Sequence, residues 1–182
     1  LNERARALAK VLSNRFEPGS VISFMLPNWH EAAVIYMATT LAGMVAHPIL
    51  PSLREHDLNF MLGDVGSRMI FVPATFRGTE YVAMLAAVVE QLDAPPEVVV
   101  LRGAAGPHRE YPSLFATATE HPLPAPDPDA VRMIMYTSGT TGLPKAAPGS
   151  HRKFVRAYGG FGMLSLAMEP EDVLYCTLPL YH

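Results

Sequence analysis

The sequence has a single cysteine, Cys176, so no disulfide closes within the chain, and no CxxC or HxxxH pair marks a zinc site among its seven histidines. This thiol usage fits a reducing compartment, and a cytoplasmic location is the expectation. A basic excess is also missing: 14 lysines and arginines stand against 17 aspartates and glutamates, a formal charge of −3. Proteins that grip nucleic acid through its phosphates need cations concentrated on one face, so that mode is disfavoured. No hydrophobic run is long enough to span a bilayer. The longest uncharged apolar stretch, residues 32–46, contains Thr39, Thr40 and Gly43 and falls short of the roughly 20 residues a spanning helix needs. It reads instead as a buried helix. The N-terminal LNERAR has neither an initiator methionine nor the apolar core of a signal peptide, so the chain reads as a piece of a longer one.

What is present is a foldable composition. Hydrophobic residues make up 49% and charged residues 17%, enough for a buried core, and this excludes a disordered or collagen-like chain. The 17 prolines exceed the usual ~5% and predict many loops. Leu1, Ala5, Leu8 and Leu12 form an apolar stripe on a first helix, which Pro18-Gly19 ends. Residues 21–26 read as a buried parallel strand, followed by the long apolar helix to Gly43 and a second strand at 44–49. Ser52-Leu53-Arg54-Glu55 has the form of a capping box opening a helix to Leu62, with Gly63 as its stop. Residues 69–72 form a third strand, 79–92 a crossover helix and 98–101 a fourth strand. Strands separated by helices predict an α/β protein, a mostly parallel sheet covered by helices on both faces. Between residues 102 and 128 six prolines break the pattern, except for a short helix around 114–119. The expected organisation is a first βα portion (1–101), a proline-rich excursion (102–128) and a last portion (129–182).

The last portion carries the chemistry. Residues 132–136 read as a strand, and directly after it comes Thr137-Ser138-Gly139-Thr140-Thr141-Gly142-Leu143-Pro144-Lys145. Gly139 and Gly142 permit backbone conformations that aim several N–H groups at one point, the nest that cradles phosphate. Thr137, Ser138, Thr140 and Thr141 add hydroxyls, and Lys145 a compact mobile charge. In isolation a Ser/Thr/Gly turn is most often just a turn. Its position at the carboxyl end of a buried strand, where α/β sheets bind ligands, favours a polyanion site. A Walker A loop is excluded, because Leu143-Pro144 separates Gly142 from the lysine and Ala146 follows it.

The string at 136–145, YTSGTTGLPK, resembles the phosphate-binding signature of the adenylate-forming superfamily: acyl-CoA synthetases, luciferases and the adenylation domains of peptide synthetases. VISFMLPN at 21–28 is similar to the family's early strand and its L-P-N turn, Ser150-His151 to the opening of the helix after the loop, and DVLYCTLPLYH at 172–182 to the next strand. The P-x-aromatic-H ending, Pro179-Leu180-Tyr181-His182, resembles acyl- and aryl-CoA ligases more than domains that load amino acids.

The resemblance implies an enzyme that joins a small-molecule carboxylic acid to ATP, giving acyl-AMP and pyrophosphate, and then passes the acyl group to CoA. It implies that Thr137, Ser138, Gly139, Thr140, Thr141, Gly142 and Lys145 hold the β- and γ-phosphates, that Thr137 helps to hold Mg²⁺, and that His182 borders the acyl site. Tyr181 reads equally as packing or as acyl-pocket wall, and His151, after the N-cap Ser150, as structural. Cys176, Trp29 and the methionines read as packing. Where the family has glycine and a β-branched residue, this chain has Ala146, Ala147 and Pro148. Pro148 cannot donate a ladder hydrogen bond, which predicts that the strand leaving the loop is shortened or lies at an edge. The family's downstream acidic metal ligand, its ribose contacts, most of its acyl pocket and its mobile C-terminal domain lie past His182, so this stretch alone is expected not to turn over. Two rival readings stay open: a domain loading a carrier protein, and a noncatalytic nucleotide-binding module.

Overall fold

The computed structural model describes residues 1–117, 121–125, 127–137, 143–169, 171–173 and 175. Helix α1 (Asn2–Ser13) buries Ala5, Leu8 and Leu12 together with Ala9 and Val11, while Leu1, at the head of the stripe, is 63% exposed. Strand β1 (Val21–Phe24) is shorter than the apolar run that announced it, and α2 (His30–Leu41) follows. The threonines of α2 are accommodated by bonding back to the helix: the Thr39 and Thr40 hydroxyls donate to the Ile35 and Tyr36 carbonyls at 2.7 and 3.0 Å. Gly43, at φ +71°, turns the chain into β2 (Val45–Pro48).

Helix α3 (Glu55–Asp64) departs from the expected capping box. Arg54 is still extended, so the helix opens there rather than at Ser52, and the Arg54 N–H donates to Asp57 Oδ2 at 3.5 Å. Gly63 stays helical, and it is Gly66, at φ +59°, that makes the turn. After β3 (Met69–Pro73), residues 79–80 are not yet helix. Strands β4 (Thr75–Phe76) and β5 (Thr79–Glu80) pair across Arg77 and Gly78, whose φ angles of 49° and 78° are those of a two-residue hairpin turn. Helix α4 is therefore confined to Tyr81–Val89.

The excursion after β6 (Glu97–Leu101) contributes a short strand, β7 (Arg109–Glu110), and a 3₁₀ helix over Tyr111–Thr117 in place of the helix expected at 114–119. Strands β8 (Val131–Thr137) and β9 (Lys145–Ser150) form an antiparallel hairpin. Helix α5 (His151–Gly160) begins at the expected cap, with Ser150 Oγ accepting from the Lys153 N–H at 3.4 Å. The strand expected at 172–182 lies almost wholly outside the described residues, Cys176, Tyr181 and His182 with it.

The main sheet has seven strands in the order β7-β6-β3-β1-β2-β8-β9, all parallel except β9. Along β3, Met69 and Phe71 join one core with Ala5, Leu8, Leu12, Ile35 and Leu114, whereas Ile70 and Val72 join a second with Leu58, Leu62, Leu85 and Val88. Strand alternation thus buries both faces, under α1, α2 and the 3₁₀ helix on one side and α3 and α4 on the other, as expected for an α/β sheet. Strand β9 keeps six residues and, among the described residues, lies at the edge, and Pro148 sits in it opposite Ile134, where a missing N–H is tolerated.

Candidate functional site

Because β8 runs parallel to β2 and β1, Thr137 emerges at the edge where those strands end, the side on which open α/β sheets bind ligands. Across the hairpin Thr137 pairs with Lys145, and its hydroxyl donates to the Lys145 carbonyl at 3.5 Å. Both residues are exposed. The structure therefore brings the first and last residues of the predicted phosphate loop side by side at a strand end. Ser138, Gly139, Thr140, Thr141 and Gly142 lie outside the described residues, as do Tyr181 and His182. Met25, Met44 and Met69 are buried in the cores and the half-buried Trp29 packs against the first, in line with the packing reading, whereas Met168 is exposed.

The hairpin base is tied from both ends. Ahead of β8, Arg152 at the start of α5 holds Asp129 in a fork, Nε to Oδ1 at 2.6 Å and an Nη to Oδ2 at 2.8 Å, and the Arg152 N–H donates to the Pro128 carbonyl at 2.8 Å. The guanidinium holds the Asp129 carboxyl below its ordinary range. Arg132, buried at the irregular start of β8, donates to the Asp127 carbonyl at 3.4 Å.

Just before Thr137, the Tyr136 hydroxyl donates to the carboxylate of Asp64, the last residue of α3. The Tyr136 ring lies 5.4 Å from the His47 imidazole and 6.3 Å from the Phe60 ring, centroid to centroid. Burial, and then the bond to Asp64, push the Tyr136 phenol above its ordinary value.

His47 is completely buried and stands beside Ser23 in the β1–β2 register. Counting donors assigns its tautomer. The Ser67 hydroxyl donates to the Met69 carbonyl at 3.1 Å, so its oxygen accepts from Ser23 at 2.7 Å, and Ser23 Oγ accepts from His47 Nδ1–H at 2.8 Å. His47 Nε2 is then a bare acceptor, buried and without a partner among the described residues. Burial drives the imidazole down to about 4, against a weaker opposing pull from the Asp64 charge.

Sequence reasoning named Tyr136 only as part of the signature and passed over Ser23, His47 and Asp64. A signal was present, since Ser23 and His47 are each a polar residue inside an otherwise apolar strand. Among the described residues no group of three or more His, Cys, Asp or Glu side chains is placed to hold a metal ion, and no helix is long and apolar enough to cross a membrane.

Known proteins share both sequence and shape with this chain. Rat (Rattus norvegicus) long-chain fatty acid transport protein 1 is 35% identical over 176 residues, covering 92% of this chain and 26% of the relative. The medium-chain fatty-acid–CoA ligase of Escherichia coli (strain K12) is 30% identical over 192 residues, covering all of this chain and 33% of the relative. The apo structure of Mycobacterium smegmatis MbtA superposes with a TM-score of 0.81 at 27% identity, over 100% of this chain and 33% of that one. This chain thus spans between a quarter and a third of the length of these proteins. The family described as AMP-binding enzyme matches it from residue 1 to residue 182, and the chain belongs to that family.

Proposed function

We propose that this chain supplies the phosphate-binding part of an ATP-dependent carboxylate–CoA ligase. One observation carries the reading: in a chain that matches the AMP-binding family from end to end, a nine-residue TSGTTGLPK segment joins Thr137 and Lys145 at the carboxyl edge of a parallel sheet. The medium-chain ligase among its relatives supports CoA as the thiol.

In the first step a carboxylate oxygen attacks the α-phosphorus of ATP. The bond from that phosphorus to the bridging oxygen of the β-phosphate breaks, and pyrophosphate leaves with the developing charge. Donors around the β- and γ-phosphates stabilise that charge. We assign this role to the backbone N–H groups of Ser138, Gly139, Thr140, Thr141 and Gly142, to the neighbouring hydroxyls, and to Lys145 as a neutralising cation. In the second step the CoA sulfur attacks the acyl carbon, its proton passes to solvent and AMP leaves. His182 and Tyr181 are assigned to the acyl side of the site.

The described residues suit Mg²⁺ that arrives on the nucleotide. They offer the Thr137 hydroxyl and no carboxylate cluster, and Mg²⁺ commonly takes most of its ligands from phosphate and water. Bound there, it would shield the phosphate charge. The test is isotope exchange between pyrophosphate and ATP by the intact protein, supplied with short-, medium- and long-chain carboxylic acids. Acid-dependent exchange, followed by thioester formation when CoA is added, is the expected result. A folded protein that exchanges nothing with any acid refutes the reading.

A further inference from the structure

Strand β8 lies beside β2, and the register sets Ala46 opposite Met133, four residues before Thr137. Thr137 itself pairs with Lys145 across the hairpin to β9.

Side chains then fix where this strand end points. Tyr136 precedes Thr137, and its hydroxyl reaches across to Asp64. Asp64 ends a helix that is seated in the second core by Leu58, Met61 and Leu62. On its other side the Tyr136 ring rests against His47, an imidazole with no exposure, held in place by the Ser23–Ser67–Met69 hydrogen-bond chain. A phenylalanine would fill the same space. The hydroxyl adds direction, because a charge-assisted bond to a carboxylate is short and angle-dependent and so sets where the strand end lies as well as that it is packed.

We propose that Tyr136, bonded to Asp64 and seated on His47, is a positioning residue for nucleotide binding: it holds the end of β8 so that Thr137 and Lys145 meet the phosphates of ATP. The inference rests on the function proposed above. It makes ATP affinity depend on a contact between β8 and α3 that touches no substrate.

The test is pyrophosphate exchange by the intact protein with ATP and the carboxylic acid varied separately. Tyr136→Phe and Asp64→Ala should each raise the KM for ATP about tenfold, the lower end for loss of one hydrogen bond to a charged group, and leave the KM for the acid and the melting temperature in place. The double variant should do no more than either single change, since both remove the same bond. Asp64→Asn, whose amide oxygen still accepts the phenolic proton, should fall between wild type and Asp64→Ala. A purely structural contact would instead lower the melting temperature or shift both KM values together, and that result overturns the inference. An unchanged KM for ATP in both single variants overturns it while leaving the proposed function intact. A folded wild-type protein without exchange removes the function and this inference together.

Discussion

Replacing His47 by asparagine should flatten the acid limb of the protein's stability. The imidazole is buried without exposure, donates Nδ1–H to Ser23, and keeps Nε2 bare with no hydrogen-bond partner among the described residues. Protonation would place a charge there unsolvated, which is why the folded group titrates near 4 instead of 6.5. Between these values the unfolded chain binds the proton and the folded chain refuses it. Stability is therefore unpenalised above pH 6.5, falls as the pH drops through the window, and carries the full penalty below about 4. A shift of 2.5 pKa units is worth about 3 kcal/mol in full, at 1.36 kcal/mol per unit, and about 2 kcal/mol of it develops between pH 7 and pH 5. Asparagine retains an amide donor for Ser23 and does not titrate. Urea denaturation of wild type and His47→Asn at both pH values isolates the effect, because every other titrating group cancels in the comparison. The wild type should lose about 2 kcal/mol more than the variant over that interval. Equal losses would mean that His47 takes up its proton in the folded state at an ordinary pH, and the account of a buried bare nitrogen would be wrong.

Lys145→Ala in the intact enzyme should reduce pyrophosphate exchange at subsaturating ATP roughly 10- to 100-fold, the ~1.5–3 kcal/mol of a hydrogen bond to a charged group, and an unchanged rate would remove the lysine from the phosphate site. Tyr81→Phe should lower stability by about 1–2 kcal/mol in a denaturation curve, because the buried Tyr81 hydroxyl donates to the Pro51 carbonyl at 2.8 Å. Gly103→Ala should destabilise by more than about 1 kcal/mol, since a Cβ there would lie 2.5 Å from the Ala74 Cβ on a backbone at φ +145°; a melting temperature equal to wild type would refute that clash.

The parts of this fold legible in the sequence are those set by local pattern. The α1 stripe, the apolar runs that become β3 and β6, the Ser150 cap and the tolerance of Pro148 in β9 all depend on residues close together in the chain. What pattern could not give is register. Ser23 and His47 are 24 positions apart and become neighbours only because β1 and β2 pair with those two residues opposite each other. Asp64 and Tyr136 are separated by 72 positions and meet because α3 ends beside the carboxyl end of β8. The capping error at Ser52 is of a different kind: two candidate starts lay within one turn, and the extended backbone of Arg54 decided between them. At the site, the signature named Thr137 and Lys145, which the structure pairs across the hairpin, but it said nothing about what holds that strand end in place.

That division between local pattern and long-range register has a functional counterpart. The first core runs across β6, β3, β1 and β2 and the second across β6 and β3, so substitutions there, such as Leu12→Ala or Phe71→Leu, act on the stability of the whole sheet. The β8–β9 hairpin meets those cores through only a few side chains, Met133 packed against the first and Tyr136 against the second, and its register to β2 sets Ala46 opposite Met133. A few polar ties add direction to that packing: Tyr136 to Asp64, Arg132 to the Asp127 carbonyl and Arg152 to Asp129. Loosening one of these ties leaves both cores filled, and it changes where Thr137 and Lys145 are presented. Global stability and nucleotide affinity are therefore separable in this architecture. A series of substitutions scored for both should fall into two groups, core positions moving the melting temperature and hairpin ties moving the KM for ATP. A set in which the two quantities rise and fall together would show that the hairpin is held by the cores after all.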